Sequence, residues 1–208
     1  MRRIPRLALG VSAALAATAS HAQLPRSARC VAANDQVTRL RIGKDRQGRP
    51  NAVDVAGAVA AGTVALGDCR GDAGFLLAFS LARIDLASDT RRSVPAVRTA
   101  MFNTALADLE TIKTSVLAGK SDRYEIFDIL ALIYYNTGQF EKAIATTDAS
   151  TPVFARMTPG SQQKTLVTRG LAQAQLGKPA AASLSFDLAA KRGYAHSAEL
   201  KRKMLLTK

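Results

Sequence analysis

Residues 124–150 and 163–189 can be laid over one another with Gly138 on Gly177, a shift of 39 residues, and no other feature restricts the fold so strongly. A repeat of this length marks supersecondary units that stack because each is too small to bury its apolar face alone. In the first copy Phe127, Leu130, Ala131 and Tyr134 recur on one helical face. Gly138 then turns the chain, and Phe140 with Ala143 begins a returning helix. In the second copy Leu166, Gly170 and Gly177 fall in register, followed by Ala182, Phe186 and Ala189. A small residue at Ala131 or Gly170 lets a partner helix come close, and Ala143 or Ala182 provides the facing hollow. The expected architecture is all-α, an array of antiparallel helix pairs.

This pattern of small, large and small residues on paired helices resembles the tetratricopeptide repeat, over about 70 of the 208 residues. Departures are visible. Arg169 and Gln173 occupy apolar sites of the family pattern, Thr147 stands where the second copy has Phe186, and the period exceeds the usual length by five residues. In the family, the first helix of each pair lines a groove that holds an extended peptide or a partner helix. The resemblance therefore implies a groove at Glu125, Asp128, Leu132, Tyr135 and Asn136, joined by Lys164, Val167, Leu171 and Gln175. Tyr135 and Asn136 draw attention there, since an exposed aromatic beside an amide grips a peptide backbone by stacking and hydrogen bonding. Packing against a neighbouring repeat is the competing role for Tyr135.

Upstream, Phe75, Phe79, Ala82 and Leu86 place one apolar face on a helix ending near Ser88 and Asp89. A second helix is expected with Ser93 as N-cap, Pro95 in its first turn, and Val97, Met101, Ala105, Leu109, Ile112 and Val116 on one face up to Gly119. Residues 52–66 read as a helix despite Gly57 and Gly62, whose small size would let another helix approach. Residues 37–42 alternate well enough for a short strand, although a short helix fits them too. This gives three segments: an export signal over 1–22, a basic, Gly-rich N-terminal segment over 23–71, and a helical repeat-like domain over 72–208.

The signal is read from Arg2, Arg3 and Arg6 ahead of an apolar stretch about half the length a membrane span needs, then small residues with Ser20 and Ala22 placed for cleavage before Gln23. Export to an oxidising compartment, expected to be the periplasm, makes a disulfide the first reading of Cys30 and Cys69. Closing that loop stabilises a chain by about 4 kcal/mol through denatured-state entropy. A metal or redox pair would need closer Cys spacing and His neighbours.

With aromatics at 5% and no Trp, the core must be built mainly from Ala, Leu, Ile and Val. Chemistry has few places to reside. The export signal takes His21, leaving His196 without an obvious partner, and Gly71, Asp72, Ala73 and Gly74 read as a turn before a helix. No phosphate loop, metal-spaced His/Cys set or nucleophile elbow is present, so neither a catalytic set, a metal nor a cofactor is expected. Glu125 and Asp128 would make an acid pair on one helix, but a solvated helix face explains them as well. Without the signal the chain carries 26 basic against 16 acidic residues, a net charge of +10. The basic residues gather at Arg39, Arg41, Lys44, Arg46 and Arg49 and again at Lys191, Arg192, Lys201, Arg202, Lys203 and Lys208. Such clusters attract anionic envelope surfaces, while export makes nucleic acid an improbable physiological partner. The expectation is an exported, non-catalytic adaptor that binds a protein or peptide. The alternative is a structural protein held at anionic envelope surfaces.

Overall fold

A computed structural model describes residues 26–89 and 94–206. The expected export signal over 1–22, Ser93 and Lys208 lie outside the described residues. Nine α-helices are present among those described: α1 (Arg26–Ile42), α2 (Val55–Cys69), α3 (Ala73–Ser88), α4 (Pro95–Leu117), α5 (Ile126–Asn136), α6 (Phe140–Ala149), α7 (Pro159–Gln175), α8 (Pro179–Lys191) and α9 (Ser197–Leu206). A 3-10 segment, Thr151–Arg156, links α6 to α7. The all-α expectation holds, in helix pairs.

Local signals explain where the helices start and stop. The Asp54 and Asp72 carboxylates accept from the Gly57 and Phe75 amides and cap α2 and α3, and the Thr158 hydroxyl accepts from the Ser161 amide to cap α7. Pro95, Pro159 and Pro179 occupy first turns, where a missing N–H costs nothing. The two repeat copies end their first helices identically. Gly138 and Gly177 adopt φ of 73° and 67°, and the next residues, Gln139 and Lys178, donate back to the carbonyls of Tyr134 and Gln173 at 2.8 and 2.9 Å. This Schellman geometry requires the left-handed backbone that glycine adopts freely.

Packing follows the small-residue positions. Ala131, Ala143, Ala182 and Ala189 are fully buried, and Gly62 of α2 lies against the Phe79 ring of α3 so closely that a Cβ would collide with it. One buried cluster runs from Cys30 and Val37 through Phe75, Phe79, Leu109 and Phe127 to Ala172, so residues 26–71 and the later helices share a core. A smaller cluster joins Leu166, Val167 and Ala189, with Tyr194 and Leu200 packed against it. The Cys30–Cys69 disulfide ties α1 to the end of α2, and Arg41 of α1 bonds Asp85 of α3 at 2.6 Å. Between α4 and α5, the Tyr134 hydroxyl donates to Glu110 at 2.7 Å.

Three local expectations need correction. Residues 37–42 are the last turns of α1 rather than a strand, because Val37 and Leu40 turn inward at helical spacing and Arg39 pairs with Asp35 one turn back. Val94, not Ser93, is the residue before the first turn of α4, and no side chain caps it. The expected apolar face of α4 is buried only from Ala105 onward, Val97 being exposed.

Candidate functional site

The first helices of the two repeat copies, α5 and α7, lie side by side. Between them opens a cleft of about 270 Å³. Five of the residues expected to line a groove meet there: Asp128 and Leu132 from α5, with Lys164, Val167 and Leu171 from α7. Ile129, Thr168 and Tyr194 complete the walls. Ile129 and Thr168 stand 39 residues apart, at one register of the two copies, so the repeat alignment contained the signal for them. Tyr194 arrives from the turn before α9 and was not legible locally.

The other four expected residues lie elsewhere. Glu125 precedes the first turn of α5, its carboxylate 3.8 Å from the Arg123 guanidinium. The ring of Tyr135 packs on that of Phe140 at the start of α6, with centroids 5.7 Å apart, so it closes its own helical hairpin instead of standing free. Asn136 and Gln175 are exposed at the last positions of α5 and α7, outside the cleft.

Asp128 is the unusual member. It is only 6% exposed, and its Oδ1 is buried without a hydrogen-bond partner. Burial pushes its carboxyl above the ordinary carboxylate range, while the Ser161 hydroxyl and Lys164 ammonium pull it back and Glu125 adds to the rise. The solvated-face reading of this residue is therefore overturned: α7 crosses over α5 and takes Asp128 out of water. A buried acceptor left unmatched costs about 1 to 3 kcal/mol. Around it Leu132, exposed at 46%, and the half-buried Leu171 offer apolar surface. The cleft thus combines aliphatic walls with one unmatched acceptor, an arrangement suited to an aliphatic side chain beside a hydrogen-bond donor.

Elsewhere the chemistry is sparse. His196 is solvent-exposed, 3.8 Å from Glu199 on the same helical turn. No group of His, Cys, Asp and Glu among the described residues has the arrangement of a metal site, and no described helix is long and apolar enough to cross a membrane. Many basic residues have acidic partners: Arg39 with Asp35, Arg41 with Asp85, Arg49 with Asp45, Lys201 with Asp187 and Lys203 with Glu199. No protein-family model, curated protein or solved structure matches the chain.

Proposed function

We propose that the protein is an exported, non-catalytic adaptor that holds an extended peptide segment of another protein in the cleft between α5 and α7. One observation supports this reading: equivalent helices of the two copies line an apolar trough in which one oxygen of the buried Asp128 carboxylate, Oδ1, has no hydrogen-bond partner. A bound segment would seat an aliphatic side chain among Leu132, Val167 and Leu171. It would bring a donor, a backbone N–H or a basic side chain, to Asp128 Oδ1. Such a donor would satisfy an acceptor that folding leaves unmatched, so the contact gains more than an exposed hydrogen bond does. The resemblance to tetratricopeptide repeats supports the same use of these helices, and the disulfide agrees with an oxidising compartment.

The test is capture from envelope extract by the wild type and by a Leu132→Glu/Leu171→Glu variant, alongside sedimentation with anionic lipid vesicles. A stoichiometric protein retained by the wild type and lost by the variant supports the adaptor. Equal sedimentation of both forms with the vesicles, and no such protein, favours the basic envelope-bound alternative.

A further inference from the structure

The places where the two repeat copies differ converge on one spot, on the face of α7 opposite the α5 cleft. Arg169 holds the register of Leu130, Thr147 that of Phe186, and Ser150 that of Ala189. The connection after α6 is longer than the one after α8 and carries the 3-10 segment. Thr147, Ser150 and Arg169 line a second cleft of about 370 Å³, with Phe154 of the 3-10 segment and Arg192 at the end of α8. At 100° per residue, Thr165, Leu166 and Arg169 point away from Lys164, Val167 and Leu171, so the two clefts are separate. The size lies toward the lower end of the roughly 300 to 1,000 Å³ of small-ligand sites.

Its donors are held in place and incompletely used. The Arg192 guanidinium lies 5.6 Å over the Phe154 ring and donates to Gln162 Oε1 at 3.0 Å. Gln162 is fixed in turn by donating to the carbonyls of Phe154 and Met157 at 2.9 and 3.0 Å. Arg169 bonds Asp148 through Nη2 at 2.9 Å, while its Nε is buried without a partner. Thr165, which lines the same cleft, is 1% exposed and its hydroxyl also lacks a partner. Unmatched donors in one cleft suit a ligand that carries acceptors.

We propose that this cleft binds a small organic carboxylate, its oxygens held by Arg169, Arg192 and the Thr165 hydroxyl and its apolar part laid against Phe154 and Leu166. Asp148 offsets one of the two guanidinium charges, leaving about one unit of positive charge, which matches a monoanion better than a phosphate dianion. The hydroxyls of Thr147, Ser150 and Thr151 already donate to the carbonyls of Ile144, Thr147 and Asp148. They have no proton left for further phosphate oxygens. Planar guanidinium donors also suit the planar carboxylate.

The experiment is an NMR titration of the disulfide-intact protein, following the Arg192 Nε–H resonance in every form and the Arg169 Nε–H resonance wherever Arg169 is retained. Benzoate is the probe, with benzamide, inorganic phosphate and N-acetylphenylalanine in parallel at matched ionic strength. The expected result is a saturable shift with benzoate. Its affinity should fall about tenfold or more in Arg169→Leu, which installs the residue type of the first copy. Thr165→Val, a near-isosteric change, weakens benzoate severalfold and serves if Arg169→Leu fails to fold. Leu171→Glu leaves benzoate binding intact, which separates this site from the peptide cleft. Tighter binding of N-acetylphenylalanine than of benzoate identifies the carboxylate as a chain terminus, and the reverse identifies a free acid. No saturable shift, equal binding of benzamide, or tighter binding of phosphate overturns the proposal.

Discussion

Gly170 on α7 and Phe186 on α8 lie so close that a Cβ on the glycine would sit 2.7 Å from the ring carbon Cε1. The ring is 1% exposed, so any shift away from a new Cβ displaces packed neighbours. Gly170→Ala should therefore cost about 1 to 3 kcal/mol through overpacking, although alanine is the better helix former. Gly67, exposed on α2 with nothing within 4 Å of its would-be Cβ, is the control of opposite sign. Gly67→Ala should gain about 0.4 to 1 kcal/mol. Urea midpoints of the two variants decide this, and a Gly170→Ala protein as stable as the wild type would refute the close helix contact.

The Cys30–Cys69 bridge closes a loop with a sequence separation of 39 between α1 and the end of α2. Replacing both cysteines with Ser should remove roughly 4 kcal/mol of stability by freeing the denatured chain. The loss should appear in urea unfolding of the variant and in wild type treated with reductant. Agreement between those two forms is the expected result, since both lack the same constraint.

Asp128 makes stability depend on pH in an uncommon direction. Its folded carboxyl titrates above the ordinary value of 3.8, so the folded chain holds this proton more tightly than the unfolded chain. The group's contribution is most favourable below the unfolded value and is lost as pH rises through the elevated folded value. Asp128→Asn should accordingly stabilise the protein at neutral pH, with the gain shrinking to nothing in acid below 3.8. Unfolding midpoints of both proteins across that range measure the effect. A variant less stable than wild type at neutral pH would mean that the carboxylate is satisfied in the folded protein.

The helix pairs were legible because their punctuation is local: Gly138 and Gly177 mark the turns, and Ala131, Gly170, Ala143 and Ala182 mark close contacts at fixed spacing. The disulfide was legible from two cysteines and the reading of residues 1–22 as an export signal. What escaped depends on partners distant in the chain. Residues 37–42 alternate like a strand, yet Arg41 is held by Asp85, 44 residues away. Asp128 reads as solvated until α7 crosses it, and Tyr135 reads as either free or packed on a neighbouring repeat until Phe140 folds back onto it. The second cleft escaped for another reason: Arg169 and Thr147 are visible as departures from the repeat, but only the fold brings them together with Phe154 and Arg192.

The adaptor reading is tested most directly by photo-crosslinking in living cells, with a photoreactive amino acid at Leu132 in the α5 cleft. The same residue placed at Leu184, exposed at 66% on α8 away from the cleft, is the comparison. The account predicts one discrete protein adduct from position 132 and none from position 184. No adduct at 132, or the same adducts from both positions, would contradict it.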